Sequence, residues 1–200
     1  MKTDIILAGV GGQGILTIAN VIGQAALKDN LYIKQAEVHG MSQRGGDVQS
    51  NLRISDKPIA SDIIAYGKAD IIISLEPMES LRYLPYLSKK GWVVTNTNPF
   101  VNITNYPEIK ELMEELEKID NLIAFDMDKA AKDLGSPRGS NMTLLGASSP
   151  FLALPETLLE DSISNFFESK GSKIVDMNLE CFRKGRKIAL HLIKERNINF

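Results

Sequence analysis

The chain has 200 residues, of which 44% are hydrophobic and 24% charged, and its formal net charge is −2. This composition is typical of a globular protein with a buried core. Because phosphate binding needs a basic excess, the charge gives no sign of a nucleic-acid or anionic-membrane partner. The first residues lead directly into an apolar strand pattern, and no apolar run approaches the roughly 20 residues of a membrane span. We therefore expect one cytoplasmic domain over residues 1–200.

Cysteine and histidine are scarce, which limits the cofactors that this chain can hold. Cys181 is the only cysteine, and the two histidines are His39 and His191. Intrachain disulfides, iron–sulfur clusters held by several thiolates and Cys-rich zinc sites are therefore excluded. The histidines do not have the spacing of metal ligands, so we predict no metal site in this chain.

A glycine-rich loop lies between the apolar run at residues 5–8 and a helical pattern that begins at Ile15. It contains Gly9, Gly11, Gly12, Gln13 and Gly14. This order predicts a strand, a tight turn and a helix, because glycine permits unusual φ values and close approach of another surface. A phosphate, a carboxylate or the carbonyl groups of a partner would be favoured beside the unpaired N–H groups of the helix start.

Three interpretations of this loop remain open at the level of sequence. The spacing of Gly9, Gly11 and Gly14 fits a dinucleotide-binding fingerprint, with Glu37 near the end of the next strand as the ribose-binding acid. A Walker A loop is excluded, because Ile15 and Leu16 stand where lysine and a hydroxyl residue are needed. In the third interpretation, the glycines only allow the first helix to pack closely on the sheet.

The remaining chain alternates strand and helix patterns. We predict strands at residues 31–37, 47–54, 69–75, 92–95 and 122–125, with a short strand or turn at 58–61. A helix begins at Glu76 and Pro77 and carries Met78, Leu81, Leu84 and Leu87; further helices are predicted at 107–119, 128–134, 141–152, 155–168 and 177–195. This rhythm predicts an α/β fold: a single Rossmann-like domain whose mostly parallel sheet has helices on both faces.

A second polar, glycine-rich loop follows the predicted strand at 31–37. Its residues are His39, Gly40, Met41, Ser42, Gln43, Arg44, Gly45 and Gly46. In a doubly wound sheet the carboxyl ends of the strands form one side of the sheet, where ligands and partners usually bind. We call the loops on that side the rim, and we expect both glycine-rich loops to belong to it.

Several stretches together resemble one enzyme family. They are Gly-Val-Gly-Gly-Gln-Gly-Ile-Leu at 9–16, Glu-Val-His-Gly-Met-Ser-Gln-Arg-Gly-Gly at 37–46, Leu-Glu-Pro-Met-Glu-Ser-Leu-Arg at 75–82, Asn-Met-Thr-Leu-Leu-Gly-Ala at 141–147 and Asn-Leu-Glu-Cys-Phe-Arg-Lys-Gly at 178–185. On these residues the chain resembles the gamma-type domain of 2-oxoacid:ferredoxin oxidoreductases over essentially its whole length. Within that family it is most similar to the free-standing small subunits of the branch that acts on aryl 2-oxoacids.

The resemblance implies a subunit of an oxidoreductase that decarboxylates a 2-oxoacid with coenzyme A as co-substrate, giving an acyl-CoA, carbon dioxide and reduced ferredoxin. Thiamine diphosphate, its magnesium ion and the iron–sulfur clusters are then expected on a large alpha subunit, and none on this chain. Two large and two small chains are implied, with ferredoxin reached through the complex. No catalytic residue is carried over to this chain.

The resemblance suggests that the rim faces the large subunit near its thiamine and coenzyme A pocket. Arg44 is then the strongest expected contact, because guanidinium pairs bidentately with carboxylate or phosphate. The alternative for Arg44 is an internal salt bridge to Glu37 or Glu76, and His39 is expected to make a hydrogen bond at the rim.

Three other functions compete with this interpretation. The first is a stand-alone NAD(P)-binding oxidoreductase, which usually needs a second domain that is not evident in this sequence. The second is an adenylating enzyme of the ubiquitin-activating type, which usually carries paired or catalytic cysteines. The third is a non-catalytic assembly module, which the sequence alone does not separate from the subunit interpretation.

Overall fold

The structure is a computed structural model that describes residues 1–39, 46–101 and 103–195. Six strands form one sheet in the order β2-β3-β1-β4-β5-β6. Their bounds are β1 Lys2–Val10, β2 Tyr32–His39, β3 Asp47–Ser55, β4 Ala69–Ser74, β5 Leu87–Asn96 and β6 Leu122–Phe125. Strand β3 is antiparallel to both of its neighbours, β1 and β2, whereas β1, β4, β5 and β6 pair in parallel. All strands except β3 therefore run in the same direction.

In the described part of the chain, seven α-helices accompany this sheet. They are α1 Ile15–Lys28, α2 Pro77–Arg82, α3 Ile109–Glu117, α4 Met127–Lys132, α5 Ser140–Ser148, α6 Glu156–Phe167 and α7 Ser172–Glu195. The sheet separates two apolar clusters. Helices α1, α4, α5, α6 and α7 contribute to the larger cluster, and α2 and α3 pack on the smaller one. The prediction of an α/β fold with helices on both faces is confirmed.

Strand β4 shows why these residues form a central strand. Ile71 and Ile73 belong to the larger cluster and Ile72 to the smaller, and all three side chains are fully buried. Successive side chains of a strand point to opposite faces, so a continuous apolar run fits a strand that is covered on both sides.

Helices α5 and α7 cross in close backbone contact. A Cβ atom on Gly146 would lie 1.8 Å from the carbonyl oxygen of Phe182, and one on Gly185 would lie 1.9 Å from that of Thr143. Both distances are shorter than any van der Waals contact. The absence of side chains at Gly146 and Gly185 therefore sets the separation of these two helices.

Some predicted boundaries were wrong. Helix α2 ends at Arg82, and a 3-10 turn at Leu84–Tyr86 follows, so Leu87 is the first residue of β5 and not part of a helix. Helix α7 begins at Ser172, five residues before the predicted start. Residues 58–61 form no strand. Within the described ranges, the helices are all too short or too polar to cross a membrane.

Candidate functional site

The rim is formed by the segments that follow the carboxyl ends of the parallel strands. Residues 11–14 follow β1, residues 75–76 follow β4, residues 97–101 and 103–108 follow β5, and Asp126 follows β6. Gly46, where the described chain resumes after β2, lies on the same side, because its carbonyl accepts a hydrogen bond from the N–H of Gly11 at 2.8 Å. The rest of the second glycine-rich loop lies outside the described residues, so its place on the rim stays a prediction.

Gln13 organises the first glycine-rich loop. Its Oε1 accepts from the N–H of Val10 at 2.7 Å, and its Nε2 donates to the carbonyl of Leu75 at 3.3 Å. A Cβ on Gly9 would lie 2.9 Å from the same Oε1. Gly9 thus leaves the space that the Gln13 side chain occupies, and Gln13 ties the loop to the end of β4.

Two of the glycines adopt a backbone conformation that disfavours other residues. Gly12 has φ +101° with no atom near its Cβ direction, and Gly14 has φ +87°. Gly14 precedes α1 as its N-cap and supplies no side-chain cap. A Cβ on Gly14 would lie 2.7 Å from Nδ2 of Asn141. Backbone geometry therefore requires glycine at both positions, and close packing requires it again at Gly14.

Much of the second loop falls outside the described residues. Gly40, Met41, Ser42, Gln43, Arg44 and Gly45 are not described, and nor is the side chain of His39. The backbone of His39 is the last of β2 and pairs with Val48. The predicted contact of Arg44 and the hydrogen bond of His39 stay predictions.

Glu37 is placed differently from the ribose-binding acid of a dinucleotide site. It is exposed on β2, its Oε1 accepts from Nε2 of Gln35 at 2.6 Å, and it pairs with Ser50 of β3. Strand β3 lies between β2 and β1, so Glu37 is two strand spacings, about 9–10 Å, from the strand that leads into the glycine loop. This position argues against the dinucleotide interpretation.

A buried carboxylate fixes the segment after β5 on the rim. Glu76 is fully buried, and it accepts from the N–H of Glu79 at 2.8 Å, from the N–H of Phe100 at 3.3 Å and from the hydroxyl of Tyr106. Burial and this hydrogen bond raise the pKa of Tyr106 far above its usual range. Three donors thus satisfy Glu76, and two of them, the N–H of Phe100 and the hydroxyl of Tyr106, attach the chain after β5 to the start of α2.

A small polar cavity opens beside the glycine-rich loop. It has a volume of about 200 Å³, and its lining includes Gln13, Asn96, Asn98, Phe100 and Asp128. Oδ2 of Asp128 accepts from Nδ2 of Asn96 at 2.8 Å and from Nδ2 of Asn98 at 3.0 Å. Sequence reasoning missed these polar residues, although the rule that parallel strands end on one side would have placed 96–98 and 126–128 together.

A second buried carboxylate lies one helical turn further along α2. Oε2 of Glu79 accepts from Nε of Arg82 at 2.8 Å. Burial raises the pKa of Glu79 despite this partner, and the same hydrogen bond raises the pKa of Arg82. The ion pair of Glu79 and Arg82 lies within α2 and stabilises that short helix. Neither side chain is a nucleophile.

Among the residues that the structure describes, none are grouped as ligands of a metal ion. Cys181 is buried, and burial raises the pKa of its thiol, which disfavours the thiolate that a metal needs. Within the described ranges, His, Cys, Asp and Glu form no cluster of three or more that could hold a metal ion.

Comparison with known proteins identifies the family. Residues 4–188 match the family described as pyruvate ferredoxin/flavodoxin oxidoreductase. The indolepyruvate oxidoreductase subunit IorB of Pyrococcus horikoshii is 38% identical over 199 residues, which covers 95% of this chain and 97% of that subunit.

Two solved structures share the fold. A 2-oxoglutarate:ferredoxin oxidoreductase from Magnetococcus marinus, with 2-oxoglutarate, coenzyme A and succinyl-CoA bound, matches with a TM-score of 0.75 and 22% identity, over 95% of this chain and 31% of that one. The pyruvate oxidoreductase subunit PORC of Thermotoga maritima matches with a TM-score of 0.71 and 18% identity, over 93% of this chain and 96% of that one. The family match over residues 4–188 and the 38% identity to the Pyrococcus horikoshii subunit, and not the shared fold alone, carry the conclusion. The chain belongs to the pyruvate ferredoxin/flavodoxin oxidoreductase family and is a subunit of an oxidoreductase of that family.

Proposed function

We propose that this chain is the small, beta subunit of an indolepyruvate:ferredoxin oxidoreductase. The enzyme would decarboxylate aryl 2-oxoacids with coenzyme A, giving an acyl-CoA, carbon dioxide and reduced ferredoxin. The observation that carries the proposal is the 38% identity to the Pyrococcus horikoshii subunit over 97% of that subunit's length. The isolated chain is expected to be inactive, since we assign it no catalytic residue.

The cofactors of the reaction are proposed to reside on the large alpha subunit. These are thiamine diphosphate, its magnesium ion and the iron–sulfur clusters. A cluster bound by thiolates needs several cysteines, and this chain has one. We propose a complex of two alpha and two beta chains, in which ferredoxin receives electrons from the alpha subunit.

The rim is the proposed contact with the alpha subunit, near its thiamine and coenzyme A pocket. The proposed residues are Gly9, Gly11, Gly12, Gln13, Gly14, Glu37, His39, Gly40, Met41, Ser42, Gln43, Arg44, Gly45 and Gly46. Support comes from the exposed apolar side chains of Phe100, Val101 and Ile103 on the same side, because exposed apolar clusters mark interaction sites. The related Magnetococcus marinus enzyme, whose structure contains coenzyme A, motivates the choice of coenzyme A as the ligand near the rim.

The remaining alternative is a subunit that only assembles with the large chain. It predicts the same complex but no effect of rim variants on turnover. The stand-alone NAD(P) oxidoreductase is disfavoured by the position of Glu37, two strands from β1.

One reconstitution experiment tests the proposal. The rate of acceptor reduction with indolepyruvate and coenzyme A is measured for the alpha subunit with and without this chain, and native mass spectrometry gives the stoichiometry. We expect activity only when both chains are present. Full activity of the alpha chain alone, with no complex on gel filtration, would contradict the proposal.

The Arg44→Ala variant separates the rim hypothesis from the assembly alternative. We expect the variant complex to form with a reduced kcat/KM for coenzyme A. A variant that assembles and turns over like the parent chain would remove Arg44 from the rim contact.

A further inference from the structure

A second cavity lies on the helical flank of the rim. It has a volume of about 410 Å³ and is enclosed by the first turns of α1, the turn before α5, the end of α6 and the start of α7. None of its lining residues was among the predicted site residues, and no step of the oxidoreduction is assigned to it.

Two cations line this cavity without a carboxylate. Arg138 and Lys170 both contribute to its wall, and no acidic side chain is among the lining residues. Neither cation takes part in an ion pair between described residues. Nζ of Lys170 lies 5.2 Å from the ring centroid of Phe167. Both residues are exposed, and their positive charges favour an anion over a cation in the cavity.

The rest of the wall combines apolar surface with a few hydrogen-bonding groups. Phe167, Ile174 and Met177 supply the apolar surface, and Asn141 and Asn178 supply side-chain amides. Nδ2 of Asn178 donates to the carbonyl of Ile174 at 2.7 Å, which fixes the orientation of that amide. Mostly apolar walls with a few polar groups are typical of small-molecule sites.

From this arrangement we propose that the cavity binds a small organic anion with an apolar body, of the class of aryl carboxylates. The carboxylate is held by Arg138 and Lys170, and the aromatic body lies against Phe167, Ile174 and Met177. A free phosphate would use the two cations but would leave the apolar wall without a partner. The proposal rests on the cavity and not on the role of the chain as a subunit.

Calorimetric titration of the full-length chain tests this assignment. Indole-3-acetate is the probe, and indole-3-acetamide is its uncharged counterpart. We expect saturable binding of the carboxylate, weaker binding in higher salt and at least tenfold weaker binding of the amide. The double variant Arg138→Glu with Lys170→Glu should lose at least tenfold in affinity, and the milder double variant Arg138→Gln with Lys170→Gln should lose affinity in the same direction.

Lys173→Glu is the matched control. Lys173 is exposed in the first turn of α7 but does not line the cavity, so its charge reversal should leave the affinity unchanged. Circular dichroism verifies that each variant is folded. The proposal is overturned if indole-3-acetate does not saturate, or if the Arg138 and Lys170 variants bind it as the parent does. Inorganic phosphate or coenzyme A that saturates where indole-3-acetate does not would also overturn it, and would assign the cavity to a phosphate-bearing ligand.

Discussion

Glu76 illustrates how a single residue positions a functional segment. A buried carboxylate is costly unless hydrogen bonds satisfy it, and here two backbone N–H groups and the hydroxyl of Tyr106 do so. The N–H of Phe100 and the side chain of Tyr106 belong to the segment that carries the exposed apolar residues of the rim. The conformation of that segment therefore depends on one carboxylate.

Removing the Tyr106 hydroxyl should destabilise the protein measurably. A hydrogen bond to a charged acceptor contributes about 1.5–3 kcal/mol, so we expect Tyr106→Phe to lower the free energy of unfolding by about that amount in urea denaturation. Tyr32→Phe, at an exposed position of β2, is the control and should change it by less than about 0.5 kcal/mol. Equal values for the two variants would show that the bond to Glu76 contributes nothing.

Alkaline pH should destabilise the protein through two tyrosines. Burial raises the pKa of Tyr83 to about 12, and burial together with Glu76 raises the pKa of Tyr106. Above about pH 10 the unfolded chain releases protons that the folded chain keeps, so stability falls as pH rises, by at most about 1.4 kcal/mol per pH unit for each group. Below that pH the contribution of both groups is fully present.

Urea denaturation at about pH 9 and about pH 11 measures this loss. In the double variant Tyr83→Phe with Tyr106→Phe the two groups no longer titrate, so the fall in stability between these pH values should shrink. An unchanged pH dependence in that variant would show that the two hydroxyls do not remain protonated in the folded chain.

Among the elements, β4 was predictable and the end of α2 was not. The run Ile71, Ile72 and Ile73 leaves little choice other than a buried strand. The apolar positions Leu84 and Leu87 continue the helical spacing beyond Arg82, but Pro85 interrupts the helix because it lacks an N–H and clashes with the preceding turn. Apolar periodicity alone therefore predicts a helix longer than the one that forms.

The start of α7 was missed for a different reason. Ser172, Lys173 and Asp176 in its first turns are exposed, and Ile174 and Val175 are only partly buried against the larger cluster. The turn before the helix is made at Gly171, with φ +92°. Two adjacent apolar residues among exposed polar ones do not show a helical period, so this part of the helix is not evident from the sequence.

The position of β3 could not be read from the sequence. The alternation from Asp47 to Ile54 predicts a strand with one covered face, but it does not specify which strands are its neighbours. Insertion of β3 between β1 and β2 separates Glu37 from the glycine loop. The rim differs in this respect, because β5 and β6 are consecutive parallel strands whose carboxyl ends meet, so the approach of Asn96 to Asp128 follows from a general rule.

The crossing of α5 and α7 should not tolerate a side chain. Gly146→Ala places a methyl group 1.8 Å from a backbone oxygen, so the helices must move apart, at a cost of about 1–3 kcal/mol or more in the free energy of unfolding. Gly23→Ala in α1 is the control, because its new Cβ would meet only the end of the Ile33 side chain at 3.1 Å. Thermal and urea denaturation should show a loss for Gly146→Ala that clearly exceeds the change for Gly23→Ala, and equal losses would contradict the close crossing.

At the scale of the whole molecule, the two ends of the sheet differ in character. The rim combines glycine backbone, polar side chains and exposed apolar residues, of which Val101 is 64% exposed. Helix α1 begins at the rim and ends at Lys28 on the opposite side, where Leu27 is 60% exposed. The apolar side chains of Val101 and Leu27 therefore have similar exposed fractions at opposite ends of the molecule.

Substitutions of Val101 and Leu27 test which end of the molecule contacts the alpha subunit. If the rim is the contact, Val101→Asp should weaken assembly at least tenfold, or about 1.4 kcal/mol, because a charge would be buried at an apolar interface. Leu27→Asp should leave the dissociation constant of the complex unchanged, as measured by biolayer interferometry. The reverse order of effects would assign the interface to the other end.

The buried thiol of Cys181 can report local opening of the folded chain. Its sulfur lies beneath Gly139, where an added Cβ would approach it to 2.4 Å, and α5 and α7 must separate before a bulky disulfide reagent can reach it. Because no other thiol is present, the rate of modification of the wild-type chain depends only on the exposure of Cys181 through local opening. The modification rates of the free chain and of the complex can then be compared, without the introduction of any probe.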